Sequence, residues 1–238
     1  MLRNILITGA SGDIGQTLAK KLTEEGYIVS GTYFSDEESA KYLNKNFSSI
    51  SMYKCDLSNP INVKSLFDEL KKDNRLPDIV INNSGISVVG LIQDLSIEEW
   101  NRLWNVNVSS ALFISQAAIS HMINNKAGKI INISSVWGNV GASYEVAYST
   151  TKGALNTFTK ALAKELAPSN IQVNALSLGF IDTKMNAHLT EEDVNDIKED
   201  IPAGRIGTCD DVFRAVLSII NAGEYMTGQI ITMDGGWI

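Results

Sequence analysis

The amino-acid sequence predicts an α/β fold in which one parallel, doubly wound sheet of seven strands carries helices on both faces. The chain has 238 residues, 44% of them hydrophobic, which is enough for one large core in a single domain. Short β-branched runs alternate with longer segments of helical periodicity, an alternation typical of parallel sheets. The first strand also runs directly into a glycine-rich turn and then a helix.

The strands are predicted from seven short runs rich in β-branched residues. In chain order these are NILIT (4–8), IVSGTY (28–33), SMYKC (51–55), DIVIN (78–82), KIINIS (129–134), IQVNALS (171–177) and QIITM (229–233). The segments between them repeat apolar residues at helical spacing, as Ile14, Leu18 and Leu22 do after the first strand. A doubly wound sheet binds ligands at the carboxyl ends of its strands, and we expect the functional site there.

Composition and charge argue against several classes of function. A formal charge of −7 and the lack of a basic run argue against nucleic acid as the main partner. Cys55 and Cys209 form no CxxC or metal-ligand pattern, so we expect buried free thiols and no metal site. His121 and His188 lie in no catalytic constellation, and His121 is expected to be solvated or to cap a helix. No apolar run is long enough to cross a bilayer and no signal-peptide pattern is present, which predicts a cytoplasmic protein without a membrane partner.

A glycine-rich turn lies between the first strand and the first helix, in ILITGASGDIGQTLAKKL. Gly9, Gly12 and Gly15 allow a tight turn, close approach of the backbone to a ligand, and close packing of helix on sheet. The helix N-terminus at about Ile14 then offers free N–H groups to a pyrophosphate. An ordinary tight turn would have the same composition. Asp13 is unfavourable beside a phosphate, and we expect it to cap the helix with its carboxylate pointing away from the ligand.

The run YSTTK (148–152) sets a tyrosine and a lysine four residues apart on a predicted helix. At that spacing Tyr148 and Lys152 share one helix face. On a solvated face the pair would have no function. In a cleft, the ammonium would favour the phenolate and lower the pKa of the phenol from about 10 toward neutrality, so that it could exchange protons with a substrate.

Five motifs occur in an order known from one enzyme family. They are TGASGDIG (8–15), NNSG (82–85), Asn107 within NVNVSS, Ser135 within NISSVWG, and YSTTK, whose Tyr148 follows the serine by thirteen residues. On these motifs the chain resembles the short-chain dehydrogenase/reductase family over essentially its full length. The resemblance implies one Rossmann-like catalytic domain over residues 1–238. The chain departs from the family pattern in the cofactor turn, where Asp13 replaces a glycine and Gly12 stands where arginine is common. Leu178-Gly179 replaces Pro-Gly, which would make the loop over the nicotinamide less rigid.

The resemblance implies hydride transfer between a nicotinamide cofactor and a carbonyl or alcohol. In the reductive direction Tyr148 would give a proton to the developing alkoxide, while Ser135 holds that oxygen and Lys152 makes the phenol more acidic. Lys152 would also hold the nicotinamide ribose, and Asn107 would help to carry a water chain that reprotonates the tyrosine. We therefore expect Ser135, Tyr148, Lys152 and Asn107 to be catalytic.

The cofactor is expected along the carboxyl edge of the sheet. Asp56 resembles the family's aspartate at the adenine ring, and Asn83, Ser84 and Gly85 would line the adenosine side. The full set expected at the cofactor is Gly9, Ser11, Gly12, Asp13, Ile14, Gly15, Tyr33, Ser35, Asp56, Leu57, Asn83, Ser84, Gly85, Tyr148, Lys152, Gly179, Ile181 and Thr183. Tyr33 stands where NAD-preferring relatives carry an aspartate, which favours NADP and leaves NAD as the alternative. No arginine or lysine lies within 31–40, so Ser35 and backbone amides are the candidates for a 2′-phosphate.

Substrate specificity is expected in residues 180–207, an acidic amphipathic segment whose position resembles the family's mobile substrate lid, although a solvated helix would have the same pattern. The 3-oxoacyl-[acyl-carrier-protein] reductases share PAGRIG-like and GQIITMDGGW-like segments with this chain, so a 3-oxoacyl thioester is the expected substrate. The run SSVWGNVGASYEVAYSTTKGA looks more like relatives that reduce 5-aminopentanone-modified elongation factor P, or another small ketone. A nicotinamide-nucleotide-binding sensor or scaffold without catalysis is the alternative outside enzymes.

The resemblance also implies a homotetramer, which would cover the apolar chain end with Trp237 and Ile238. Dedicated fatty-acid reductases present two basic residues to the acidic acyl-carrier protein. Here Lys126 is near the first place and Ser169 stands at the second, so we expect carrier contact to be weak. Glu145, three residues before Tyr148, is expected at the cleft rim, where it could attract a cationic amino-ketone or simply be solvated.

Overall fold

The computed structural model describes residues 3–187 and 189–238, so the expectation for His188 lies outside the described residues. The strands are β1 (Asn4–Ile7), β2 (Ile28–Tyr33), β3 (Ile50–Lys54), β4 (Ile79–Asn82), β5 (Gly128–Ser135), β6 (Ile171–Leu178) and β7 (Ile230–Met233). They form one sheet in the order β3-β2-β1-β4-β5-β6-β7, and every neighbouring pair is parallel. The predicted α/β class and seven-stranded sheet are confirmed, with each strand end within one residue of its predicted run.

Helices connect the strands and cover both faces of the sheet. They are α1 (Asp13–Glu24), α2 (Glu37–Asn46), α3 (Pro60–Lys72), α4 (Ile97–Trp104), α5 (Ser110–Asn125), α6 (Trp137–Val140), α7 (Val146–Leu166), α8 (Glu191–Asp200) and α9 (Cys209–Asn221). Their starts follow from local sequence: Asn59 caps α3 ahead of a first-turn proline, and Ser96 with Glu99 forms a reciprocal capping box on α4. A π-helical segment, Asn105–Ser109, joins α4 to α5.

The core lies in two layers because successive residues of a strand point to opposite faces of the sheet. Ile5 and Ile7 of β1 pack with Leu18 of α1 and with residues of α9 on one face. Leu6, between them, packs with α3, α5 and α7 on the other face. Burial on both faces explains why these parallel strands are continuous apolar runs.

The carboxyl edge of the sheet is where the chain reverses its direction of winding. β1 lies between β2 and β4, so the connections after β1 and β4 leave the sheet toward opposite sides and open a crevice between them. The parallel register places the turn after β1, Asn82 of β4, Ser135 of β5 and Leu178 of β6 along this same edge.

The two ends of the segment 180–207 pair with each other beside the sheet, and we call this junction of residues 180–182 with Gly207 the neck. Ile181 bridges to Gly207, and two backbone hydrogen bonds of 2.9 Å, Asp182 to Gly207 and Gly207 to Phe180, close the neck. No residue of α8 is buried. Further on, Ile201 is buried against the backbone of Gly235. The segment is thus fixed at the neck and at Ile201, whereas α8 between them has no buried residue.

Two expectations about the elements differ from the structure, and a third is refined. The helical stretch Ile97–Asn125 is, by length and composition alone, long and apolar enough to cross a membrane, because the π-helical segment fuses two helices into one; its buried side chains lie within the core. Cys55 is buried as expected, whereas Cys209 at the start of α9 is only half-buried. His121 is partly exposed, in keeping with the solvated alternative, and lies 3.4 Å from the Asp78 carboxylate.

Candidate active site

One large cleft of about 1120 Å³ runs along the carboxyl edge of the sheet. Every residue expected at the cofactor lines it, as do Ser135, Tyr148 and Lys152. Asn107 is 2% exposed and lies behind the wall of the cleft. In the part of the chain that the structure describes, no group of three or more His, Cys, Asp or Glu side chains is arranged to hold a metal ion.

The glycine turn has the backbone geometry expected of a phosphate cradle. Gly9 has a φ of +63°, in the left-handed region that favours glycine. A Cβ at Gly15 would lie 2.3 Å from the Gly9 carbonyl oxygen, so α1 packs on the turn at a distance that only glycine permits. At Gly12, the N-cap of α1, a Cβ would be 3.6 Å from that oxygen, which is an ordinary contact. The first-turn amides of α1 are therefore presented to the cleft, an arrangement that fits a pyrophosphate.

Asp13 does not cap α1, contrary to the expectation from the sequence. It is the first helical residue, with Gly12 as the N-cap. Its Oδ2 accepts a hydrogen bond of 2.7 Å from the backbone N–H of Lys184, and its Oδ1 lies 3.9 Å from the Lys184 ammonium. The carboxylate is directed at residues 180–207 because a partner distant in sequence has replaced the local amides.

Ser135, Tyr148 and Lys152 meet where β5 ends and α7 begins. Ser135 is the last residue of β5, and Tyr148 and Lys152 lie one turn apart near the N-terminus of α7. The Ser135 side chain lies beside the Tyr148 hydroxyl, where it lowers the pKa of the phenol. The Lys152 ammonium lies 5.6 Å from the centre of the Tyr148 ring and donates a hydrogen bond of 2.9 Å to the Ile133 carbonyl. The structure therefore brings these three predicted residues together.

The expected lowering of the Tyr148 pKa is wrong for this state of the protein. Burial raises the pKa of the Tyr148 hydroxyl well above its usual range, the nearby Glu145 carboxylate raises it further, and the Ser135 side chain opposes both. Burial also lowers the pKa of Lys152 to about 8. Desolvation outweighs the attraction between the ammonium and a phenolate, so at neutral pH the tyrosine is a protonated donor.

Asn107 occupies the π-helical segment between α4 and α5. Its Oδ1 accepts from the Ile86 N–H at 2.9 Å, and its Nδ2 donates to the Ile86 carbonyl at 2.9 Å and to the Thr151 hydroxyl at 3.0 Å. π-helical segments of this kind frequently occur at functional sites. A Cβ at Gly85 would lie 3.4 Å from the Lys152 Nζ and 3.6 Å from the Asn107 Oδ1. Gly85 thus separates the lysine from the asparagine, whereas the sequence placed it on the adenosine side.

The opposite end of the cleft is lined by the ends of β2 and β3. The Asp56 carboxylate accepts hydrogen bonds from the Ser58 backbone N–H and the Ser58 hydroxyl. The Asp36 carboxylate caps α2 by accepting from the Ser39 N–H at 3.0 Å. Among the described cleft-lining residues the basic ones are Arg102, Lys152 and Lys184, none of which comes from β2, β3 or the turns after them. A 2′-phosphate here would rely on hydroxyls and backbone amides.

The loop after β6 is held by pairing with β7, although Leu178 replaces the proline that the family pattern has there. Leu178 is buried and pairs with Met233 of β7, and the Gly179 N–H donates to the Met233 carbonyl at 2.9 Å. A Cβ at Gly179 would lie 2.7 Å from the Asp234 Cβ, so glycine is needed for the close approach. Sheet pairing supplies the rigidity expected from proline.

The substrate end of the cleft contains residues that sequence reasoning missed. Trp137 and Trp237 contact each other there, with ring centres 5.1 Å apart and ring planes tilted by 59°, and both line the cleft. Tyr144 adopts a left-handed backbone with φ of 64°, unusual for an aromatic residue, and its carbonyl accepts from Gly90 at 2.8 Å. Arg102 is a further unpredicted lining residue, as is Phe34 just after β2, whereas Phe180, Met185, Leu189 and Ile197 line the cleft from the predicted specificity segment, residues 180–207. Trp237 carries a signal in the terminal GGW run, from which the sequence predicts a subunit interface.

Glu145 lies at the cleft wall close to the Tyr148 phenol. It is the N-cap of α7 but makes no capping hydrogen bond with its side chain. Its Oε1 instead accepts from the Ser87 hydroxyl at 3.0 Å, across the cleft from α7 to the loop after β4. A carboxylate is therefore held at the substrate end, near Tyr148.

Comparisons with known proteins agree with this geometry. A family model described as enoyl-(acyl carrier protein) reductase matches residues 9–238. The chain is 35% identical to the uncharacterized oxidoreductase YmfI of Bacillus subtilis, over 100% of this chain and 99% of that protein. It is 37% identical to the 3-oxoacyl-[acyl-carrier-protein] reductase FabG of Aquifex aeolicus, over 97% of this chain and 95% of that one. A crystal structure of a gluconate 5-dehydrogenase from Burkholderia cenocepacia, in complex with NADP and tartrate, matches with a TM-score of 0.92 at 29% identity, covering 99% of this chain and 94% of that chain.

Proposed function

The chain belongs to the short-chain dehydrogenase/reductase family and is an oxidoreductase, and from that premise we propose that it reduces a ketone to a secondary alcohol with a nicotinamide cofactor. The observation that carries the proposal is the meeting of Tyr148, Ser135 and Lys152 in one cleft with the glycine turn. A protonated phenol beside a hydroxyl and an ammonium is suited to protonating a developing alkoxide.

The proposed roles follow from the positions of the side chains. Tyr148 donates the proton, and the Ser135 hydroxyl hydrogen-bonds the substrate oxygen and keeps it in line with the phenol. Lys152 stabilises negative charge that develops on the phenol after proton transfer, and its ammonium is also within the cleft to bind a ribose. Asn107 supports the path by which the phenol regains a proton, beside the gap that Gly85 leaves open to Lys152.

The cleft fits NADP(H), which when bound supplies the hydride. We propose that its pyrophosphate lies on the first turn of α1, its adenine near Asp56, and its nicotinamide ribose near Lys152. The solved gluconate 5-dehydrogenase in complex with NADP supports this choice. At the end of β2, Tyr33 leaves room for a 2′-phosphate, but none of the described lining residues from β2, β3 or the turns after them is a cation that could bind it. We therefore propose only a small preference for NADP(H) over NAD(H).

The proposed substrate is a 3-oxoacyl thioester, with residues 180–207 acting as a lid over it. Support comes from the similarity to a 3-oxoacyl-[acyl-carrier-protein] reductase and from the aromatic substrate end formed by Trp137 and Trp237. The test is oxidation of NADPH and NADH, followed by absorbance, across acyl-thioester ketones, simple ketones, amino-ketones and keto-sugar acids. Failure of every ketone with either cofactor would favour a nucleotide-binding sensor instead.

A second candidate substrate is a cationic amino-ketone, such as a 5-aminopentanone-modified elongation factor P. The observation that favours it is the Glu145 carboxylate held by Ser87 near Tyr148. Glu145→Gln should then lower kcat/KM for a cationic ketone about tenfold, equal to about 1.4 kcal/mol, while a neutral ketone of the same shape is unaffected. Equal effects on both ketones would count against a charge-selective site.

We further propose a cytoplasmic homotetramer. Trp237 contacts Trp137 but stays partly exposed, and Ile238 is 48% exposed, so the chain end leaves apolar surface that a partner would cover. The exposed apolar side chains Ile97, Leu112 and Ile123, on α4 and α5, provide a further surface for association. Light scattering at micromolar concentration should give the tetramer mass, and a monomer mass would contradict the proposal.

A further inference from the structure

The acidic residue of the glycine turn binds a segment 171 residues further along the chain. The Asp13 Oδ2 accepts the Lys184 backbone N–H at 2.7 Å, a short bond that a charged acceptor strengthens. The Lys184 ammonium lies 3.9 Å from the other oxygen, but that side chain is 86% exposed, so solvent screens the ion pair. The substantive contact is therefore carboxylate to backbone.

The two partners differ in how firmly the rest of the fold holds them. α1 buries Leu18, Ala19 and Leu22 in the core and packs against α9, so Asp13 stands on a rigid helix. Lys184 lies just past the neck of residues 180–207, ahead of α8, which has no buried residue. The hydrogen bond therefore fixes the direction in which a weakly held segment leaves its neck.

We infer that Asp13 is a positioning residue that anchors the lid, residues 180–207, to the cofactor turn. The inference rests on the proposed function, since it takes this segment to be the lid. Met185, Leu189 and Ile197 line the cleft from the anchored span, so the anchor aligns the lid's apolar side chains over the substrate end. The same bond directs the Asp13 carboxylate away from the first-turn amides of α1, leaving them for a pyrophosphate.

The first test measures lid order without cofactor or substrate. A protease that cleaves after glutamate has lid sites at Glu191, Glu192 and Glu199, and none of the test variants alters them. Asp13→Ala should speed lid cleavage about tenfold, equal to about 1.4 kcal/mol of lid opening, because the acceptor is gone. Asp13→Asn retains an acceptor oxygen and should restore most of the protection. Lys184→Ala, which keeps the backbone N–H, should cleave at the wild-type rate.

Peptide masses separate loosening of the lid from global unfolding, since unfolding would release α3 and α7 and so allow cleavage at Glu69 and Glu165 as well. Equal lid cleavage in Asp13→Ala and the wild type would overturn the inference. So would a Lys184→Ala rate that matches Asp13→Ala, because the side chain and not the backbone would then be the anchor. Neither result requires turnover, so failure of the anchor is distinguishable from failure of the proposed reaction.

The second test applies to the cofactor-loaded enzyme with the best ketone found. Asp13→Ala should raise KM for the ketone about tenfold with kcat within about threefold, because the lid contributes binding without touching the reacting atoms. Asp13→Asn should return KM toward the wild-type value. A loss confined to kcat, or no rescue by asparagine, would contradict a role in positioning.

Discussion

The hydroxyl of Tyr148 is protonated at neutral pH and lies beside Ser135, the proposed oxyanion partner. Tyr148→Phe deletes that oxygen and little volume. Turnover should fall by at least about 10², while the dissociation constant for NADPH, measured by fluorescence, stays within about twofold. A variant with near-normal turnover would remove Tyr148 from the mechanism.

The pKa of Lys152 predicts proton uptake when the cofactor binds. Burial lowers that pKa to about 8, so above this pH the free protein contains neutral lysine. A bound anionic dinucleotide favours the ammonium and raises the pKa, so protons are taken up between about pH 8 and pH 10 and not at pH 6. Calorimetry at about pH 8.5 in two buffers of different ionisation enthalpy measures this uptake. Lys152→Met should abolish it, and a wild-type protein that takes up no proton would contradict the assignment.

Cofactor preference at the end of β2 depends on the residue at position 33. Tyr33→Asp should shift the ratio of kcat/KM values toward NADH by at least about tenfold, because a carboxylate accepts from the ribose hydroxyls and repels a 2′-phosphate. The two specificity constants are measured side by side, with Tyr33→Asn as the uncharged control. If the ratio is the same in Tyr33→Asp and the wild type, the ribose does not lie at this position.

At the scale of elements, the structure of the turn between β1 and α1 predicts different effects for alanine at Gly12 and at Gly15. A Cβ at Gly15 would collide with the Gly9 carbonyl at 2.3 Å, whereas one at Gly12 would make an ordinary contact at 3.6 Å. Gly15→Ala should therefore lower both the melting temperature and the affinity for NADPH, the latter by at least about tenfold. Gly12→Ala is the matched control and should fold as the wild type does. Equal melting temperatures for the two variants would show that α1 can shift to make room.

Local sequence was sufficient for the elements themselves. The strands are buried on both faces and so read as short apolar runs, and the helices repeat their apolar residues at helical spacing. The motif positions were enough to place Ser135, Tyr148 and Lys152 in one cleft. The π-helical segment that holds Asn107 carries no comparable local pattern, since it depends on how α4 and α5 pack.

Contacts between distant parts of the chain were beyond sequence reasoning. Asp13 was expected to cap its helix because the competing partner, Lys184, lies 171 residues away. The direction of the Tyr148 pKa shift was wrong for a similar reason: the spacing to Lys152 was readable, but the burial that outweighs it depends on packing. The contact of Trp137 with Trp237 joins the segments after β5 and β7, which no local pattern relates.

At the scale of the whole molecule, net charge decides which carriers can approach. The formal charge of −7 repels an acidic acyl-carrier protein at long range. Lys126 ends α5 in a left-handed conformation, and Asn170, next to Ser169, donates to both the Lys126 carbonyl and the Glu224 carboxylate. Where a second cation would assist docking, the chain thus has Ser169, close to the Glu224 carboxylate that Asn170 contacts.

Docking of a carrier should consequently be weak in this chain and recoverable by one substitution. Carrier-bound 3-oxoacyl substrates should exceed the free thioester in kcat/KM by less than about 10², equal to about 2.7 kcal/mol. Ser169→Arg places a cation beside Lys126 and should raise kcat/KM for the carrier-bound substrate several-fold at low salt, with the gain lost as salt screens it. Ser169→Gln adds length without charge and should give no gain, and the free thioester should respond to neither variant. A wild-type preference for the carrier-bound substrate above that limit would mean that docking uses a surface other than the one between Lys126 and Ser169.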